Sequence, residues 1–299
     1  MTIIVSGASG WLGRASISVL LKSGIDKAKI RCFGTSASIF KVDGVTFENE
    51  PFQSALSISS AECFIHLAFK TRDKVNSLPL ENYLTENRDL TSLAVSVIEK
   101  ARPRSVITIS SGAVFEGPTF ETLTSDVESN PYGFLKLEEE ERLSQVCQAD
   151  GITLVINRLW GVSGRDIQNV KPYALAEFII RASKNEGIEI RSPYEVWRRY
   201  VDARELMQLC LKIAQSGEST LFDSGGPLTE IEALAHRVVD ILGSSSQVIR
   251  EPIKSNSAPD LYYSKSTTYE ELLFKHLKSE PSALDSQIVE TAWALKSPI

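Results

Sequence analysis

The chain has 299 residues, 42% of them apolar, enough to bury a large α/β core in one domain or in two unequal lobes. Its 32 basic and 38 acidic side chains leave a net charge of -6, so no polybasic surface for nucleic acid or anionic lipid is expected. No stretch reaches the roughly 18 apolar residues of a bilayer span, and no basic leader precedes the first apolar run, which predicts a soluble cytoplasmic protein without membrane association.

Thr2–Ser6 reads as an apolar strand, and the glycine turn Gly7-Ala8-Ser9-Gly10-Trp11-Leu12-Gly13 passes into a helix over Trp11–Lys22 that carries Leu12, Ala15, Ile17, Val19 and Leu20. After the stop at Gly24, strands are predicted at Lys29–Phe33, Val45–Phe47 and Cys63–Ala68. Leu80–Ala101 is a long amphipathic helix that ends at Arg102-Pro103, because the residue before proline is pushed out of the helical region. A fifth strand, Ser105–Ile109, runs into Ser110-Ser111-Gly112. Pro131 precedes a helix from about Tyr132 to Ala149, and Gly151 admits a strand at Thr153–Ile156. Apolar strands alternating with helices predict an α/β fold of the Rossmann type, a doubly wound parallel sheet covered on both faces.

Beyond Arg158 the rhythm changes. A loop through Gly161 and Gly164 leads to a helix at about Pro172–Lys184, a short strand at Ile188–Ile190 and the segment Val196–Asp202. A helix at Ala203–Ala214, a strand at Thr220–Phe222 and a helix at Leu228–Leu242 with Thr229 as its cap come next. Ser244–Pro259 is serine-rich and reads as loop, and the tail holds an amphipathic piece around Ile288, Val289 and Trp293. Residues 1–160 are accordingly expected to form the dinucleotide-binding domain. Residues 161–299 are expected to form a smaller C-terminal substrate-binding lobe, some of whose strands return to the main sheet. Cys32, Cys63, Cys147 and Cys210 show no paired spacing and read as reduced packing residues. His66, His236 and His276 show no metal-ligand spacing, so no metal is expected.

Chemistry enters at the glycine turn. Gly7, Gly10 and Gly13 allow a tight turn and close backbone approach, and with Ser9, Trp11 and Leu12 they lay a dinucleotide diphosphate at the positive end of the helix. Where the second strand ends, Thr35 and Ser36 stand in place of the acid that usually binds an adenosine ribose diol. That favours NADP over NAD, with Arg31 and Lys41 the nearest positive charges. Tyr132 and Lys136 lie one helical turn apart, so the ammonium can approach the phenol and lower its pKa. Ser111, at a strand exit, can hold the same substrate oxygen. The trio predicts hydride exchange at a carbonyl or alcohol carbon, with Tyr132 as acid/base.

With these residues together, the chain resembles the extended short-chain dehydrogenase/reductase family, in its nucleotide-sugar epimerase, dehydratase and reductase branch. Ser110-Ser111-Gly112-Ala113-Val114-Phe115 resembles that family's serine segment, and Tyr132 and Lys136 resemble its reactive pair. The resemblance implies that Leu67, Ala68 and Asn87 lie beside the cofactor and that Gly112 and Ala113 border the substrate. Arg198-Arg199-Tyr200-Val201-Asp202 is similar to the late basic motif where an arginine commonly holds a nucleotide diphosphate; strand alternation faces the two arginines opposite ways, and Arg199 is taken as the contact narrowly ahead of Arg198. Family dehydratases carry Asp-Glu where this chain has Gly112 and Ala113, so dehydration is not expected. Gly161 replaces a common asparagine, and Leu135 a small hydroxyl residue. The resemblance implies an NAD(P)-dependent enzyme that epimerises or reduces a nucleotide sugar, and the absent acid after the second strand together with one compact C-terminal lobe favours reduction of the 4-keto group of a nucleotide-linked 6-deoxy sugar. A nucleotide-sugar 4-epimerase with retained NAD and a non-catalytic dinucleotide-binding regulator are the alternatives, and a homodimer through the helices of the main domain is compatible with each.

Overall fold

Burial along the strands dictates the first layer. All four side chains of β1 (Ile3–Ser6) are buried, and after α1 (Trp11–Lys22) β2 (Ile30–Gly34) is nearly as enclosed. In the computed structural model, residues 2–116, 120, 122–168, 170, 173–254 and 256–296 are described. β3 (Ser38–Val42) and β4 (Val45–Pro51) form a hairpin, and β5 (Cys63–His66) precedes α2 (Leu80–Ala101). All seven side chains of β6 (Ser105–Ser111) are buried, as a strand covered on both faces requires. A small hairpin, β7 (Phe115–Glu116) with β8 (Thr122–Leu123), is followed by α3 (Pro131–Ala149) and β9 (Thr153–Leu159).

The sheet runs in the order Thr220–Asp223, β9, β6, β5, β1, β2, β4, β3. β1, β2, β4, β5, β6 and β9 pair in parallel, and β3 is antiparallel to β4. The expected doubly wound sheet is present, with one antiparallel hairpin at its edge. β3 was not foreseen. Its signal is Asp43-Gly44, whose left-handed φ values of 47° and 83° make the turn that joins β3 to β4. One face of the sheet buries Ile4, Phe33, Phe64, Val106 and Ile156 against Val97 and Ile98 of α2 and Leu143 and Cys147 of α3. α2 stops where Arg102 turns left-handed, at φ 41°, before Pro103.

Two compact units are resolved, Met1–Leu159 with Met207–Phe222, and Trp160–Leu206 with Asp223–Ile299. The second begins with β10 (Val162–Ser163), α4 (Ala174–Ser183), β11 (Ile188–Ile190), β12 (Val196–Arg199) and β13 (Val201–Asp202). Pro172, the expected start of α4, lies outside the described residues. α5 (Ala203–Ser216) then leads to β14 (Thr220–Asp223), the edge strand of the large sheet. Three expectations fail here. Leu228–Glu230 is a strand, β15, and α6 (Ile231–Leu242) is capped by the Glu230 carboxylate, which accepts from Glu232 N at 2.7 Å, so Thr229 is not the cap. Within the expected loop, Val248–Arg250 forms β16 beside β11. β17 (Asp260–Tyr262) pairs with β12, and two helices, α7 (Thr268–Leu277) and α8 (Leu284–Lys296), complete the unit. Its core packs Leu175 and Ile179 of α4 with Leu234 and Val238 of α6 and Ile288 of α8.

Candidate active site

The turn after β1 is shaped by steric necessity. Gly7 has φ +67°, and a Cβ there would sit 2.6 Å from Leu67 O; a Cβ on Gly13 would sit 2.3 Å from Gly7 O. Gly10 is the N-cap of α1, with no side-chain cap and no acidic residue in the first turn, so the positive helix end is left for an anion. This cradle has room for a dinucleotide diphosphate against the backbone of Gly7–Gly13, where Ser9, Trp11 and Leu12 lie. Thr35 and Ser36 are exposed just past β2. Arg31 does not wait there for a phosphate, because its Nη2 lies 2.5 Å from Glu50 Oε1. Leu67 and Ala68 direct their amides to Ser6 Oγ at 3.2 and 3.4 Å. Asn87 is buried and accepts from Lys70 N at 2.8 Å while donating to Tyr83 O, which ties the segment after β5 to α2.

Ser111 ends β6, and its Oγ accepts from Ala113 N at 3.1 Å. Asn130 caps α3 by accepting from Gly133 N at 3.0 Å and donating to Ala113 O at 2.7 Å, which locks the start of α3 to the serine segment. Pro131 at the first helical position suits its fixed φ and missing amide proton. Tyr132 follows at once, with its ring edge-on to Phe69 at 5.8 Å and the Ser111 hydroxyl near enough to favour its ionised form. Burial pushes this phenol up to about 12, the Ser111 hydroxyl works against the rise, and the Glu139 charge adds to it. The structure thus brings Ser111 and Tyr132 together, with Gly112 and Ala113 buried beside them.

Lys136 is buried and shares a helical face with Tyr132, but its ammonium is engaged elsewhere. Nζ donates to Ile109 O at 2.9 Å and to Glu139 Oε2 at 2.7 Å, and it lies 3.7 Å above the Phe69 ring. Glu139 is a residue that sequence reasoning missed. Its neighbour Glu140 is buried as well and receives the Arg158 guanidinium in a fork at 2.7 and 3.0 Å. The legible signal was spacing, since Glu139 follows Lys136 by three residues and so lies within reach on the same face.

In the second unit, Arg198 on β12 is paired with Asp260 at 2.6 Å, whereas Arg199 reaches Glu270 and Ser266 O at 3.4 Å and leaves its buried Nε without a hydrogen-bond partner. The rings of Trp160 and Tyr262 lie 4.9 Å apart. Gly161 has its own reason: a Cβ there would stand 2.3 Å from Arg199 O, so asparagine cannot occupy this position without moving β12.

The model of the NAD dependent epimerase/dehydratase family matches residues 3–222, a span that includes the glycine turn, Ser111, Tyr132 and Lys136. The chain belongs to this family. It is therefore an NAD(P)-dependent enzyme of the extended short-chain dehydrogenase/reductase type, as its motifs implied. No curated protein matches the chain in sequence. Among solved structures, the chain is similar to UDP-glucose 4-epimerase from Thermotoga maritima with UDP-glucose, at 19% identity, 99% coverage of both chains and a TM-score of 0.75. It is similar to UDP-N-acetylglucosamine 4-epimerase from Methanobrevibacter ruminantium in complex with UDP-N-acetylmuramic acid, at 18% identity, 98% and 97% coverage and a TM-score of 0.78. It is also similar to UDP-glucose 4-epimerase from Thermus thermophilus in complex with NAD, at 16% identity, full coverage of both chains and a TM-score of 0.74. At these identities the likeness establishes a shared fold. The expected preference for NADP finds no support, since Arg31 is closed on Glu50. Among the described residues no helix is long and apolar enough to cross a membrane, and no group of three or more His, Cys, Asp or Glu could hold a metal ion.

Proposed function

We propose that the chain is a nucleotide-sugar 4-epimerase that retains NAD. The observation that carries this reading is the Ser111–Tyr132 hydroxyl pair placed at the start of α3 beyond β6, on a chain whose fold matches 4-epimerases over nearly its whole length. The missing acid after β2 and the compact C-terminal lobe favour reduction only weakly: the acid bears on which dinucleotide binds, and neither feature bears on whether hydride is returned to the sugar.

In this reading Tyr132 removes the proton of the sugar 4-hydroxyl and returns it after the ring has turned. Ser111 donates a hydrogen bond to the same oxygen and holds it while charge develops. The Gly7–Gly13 turn would hold NAD, which when bound would accept the hydride leaving C4 of the sugar and return it to the opposite face. For a phenol at about 12 to act as base near neutrality, its anion must gain roughly 7 kcal/mol, about 1.4 per pH unit. Cations of the site are the natural source, with Lys136 one helical turn away and Arg72 already lowering the phenol. Arg199, or Arg198 beside it, is the candidate for the substrate diphosphate through paired guanidinium bonds. Either must first leave its carboxylate partner.

Incubating the protein and NAD with UDP-linked hexoses, and resolving the C4 epimers formed, tests the reading. Interconversion without net cofactor consumption is expected. Consumption of reduced cofactor in step with an alcohol product would instead assign a reductase.

A further inference from the structure

Four consecutive glutamates, Glu138 to Glu141, follow the reactive pair on α3, and a stretch of that composition ordinarily faces water. Glu138 does so, meeting Arg88 at 2.9 Å. Glu139 is 2% exposed and faces inward. Strand register explains what it meets there: Ser6 of β1 lies beside His66 of β5, and His66 beside Thr108 of β6, so three polar side chains form one row across the sheet. Glu139 Oε1 lies 3.3 Å from both His66 Nε2 and Thr108 Oγ1, and Oε2 lies 2.7 Å from Lys136 Nζ. Ser6 Oγ accepts from the amides of Leu67 and Ala68, so its single proton goes to His66 Nδ1 at 2.8 Å. The remaining ring proton then belongs on Nε2, facing Glu139.

A buried ion pair of this kind is a weak source of stability, since apolar side chains in its place are often equally good. Its position is more telling. We propose that Glu139 is a positioning residue of the reaction centre: by gripping Lys136 against Ile109 O, with His66 behind it, it sets how much of the ammonium's field reaches Tyr132 and hence the pH range in which the phenol acts as base. The proposal rests on Tyr132 as acid/base. The groups around that phenol are Ser111 from β6, Arg72 and Asp73 from the short turn Arg72–Ser77, Tyr83 from α2, the Phe69 ring and Glu139 from its own helix, and the Lys136 ammonium lies over that same Phe69 ring. Glu139 raises the phenol in this set, and its own carboxyl is held below the usual range by Lys136 and His66 against the opposing effect of burial.

The test is a phenolate absorbance titration of the cofactor-free protein, with Tyr132→Phe subtracted in each background to isolate Tyr132. Glu139→Gln keeps the size of the side chain and removes its charge, and Tyr132 is expected to ionise about one to three pH units lower. The acidic limb of the kcat profile should move the same way with little change in KM, and Glu139→Asp should bring both back toward wild type. An unmoved titration in folded Glu139→Gln overturns the proposal. So does failure of both variants to fold, which would assign Glu139 to core structure alone. Because the titration needs no sugar nucleotide, it holds even where no epimerisable substrate is found; undiminished turnover in Tyr132→Phe is the result that removes the functional reading itself.

Discussion

At the scale of single residues, the proposed function gives Tyr132 and Gly7 separable roles. Tyr132→Phe removes the proton carrier and leaves the glycine turn intact, so turnover should fall about 100- to 10,000-fold while NAD affinity stays near wild type, measured by steady-state kinetics and calorimetric titration. Gly7→Ala does the reverse. Its φ of +67° and the 2.6 Å approach to Leu67 O force the turn open, so NAD binding should be lost before any change in the Ser111–Tyr132 pair. Residue patterns in the sequence reached Gly7, Ser111, Tyr132 and Lys136 because each sits at a boundary between elements, where spacing constrains geometry. They did not reach Glu139, because a run of glutamates reads as a solvated face and only the spacing of three from Lys136 singles this member out. Helical spacing places Lys136 on the face of Tyr132, but it leaves the choice of partner to the tertiary surroundings, and the ammonium meets Ile109 O and Glu139.

At the scale of elements, α3 is joined to β9 by the Glu140–Arg158 fork, with side chains 5% and 12% exposed. Glu140→Gln would leave an enclosed guanidinium without its counter-charge, a loss of about 3 to 5 kcal/mol that denaturant unfolding should register. Long apolar strands and strongly periodic helices such as α2 were legible because local pattern and tertiary burial agree. The second unit was harder to read. β15 covers Leu228–Glu230, a stretch whose apolar spacing also suits a helical turn, and only its pairing with β12 decides the matter. β16 lies in a serine-rich segment and exists through its alignment with β11, a contact between residues about 60 positions apart that no local window contains.

Across the whole molecule, buried acids set the pH limits of stability. Burial raises Cys32 from 9.0 to about 12, Cys63 to about 11 and Cys147 to about 12, and Tyr132 from 10.0 to about 12. Each proton is held more tightly in the folded state, so stability is complete below the ordinary values near 9 and 10 and declines as pH rises toward 11 to 12. Glu139 acts in the opposite sense: burial alone would raise it, Lys136 and His66 lower it from 4.5 to about 2, and stability therefore falls as pH drops through that window. Urea midpoints across pH should trace both limbs, and Glu139→Gln should flatten the acidic one.

The chain leaves its first compact unit after Leu159 and comes back for Met207–Phe222, whose strand β14 borders β9. A fragment cut at the apparent midpoint would strip that border away and bare a seven-residue strand whose backbone amides and carbonyls invite pairing with another molecule. Expression of the amino-terminal half alone should accordingly yield aggregates, whereas a fusion that restores 207–222 should stay dispersed.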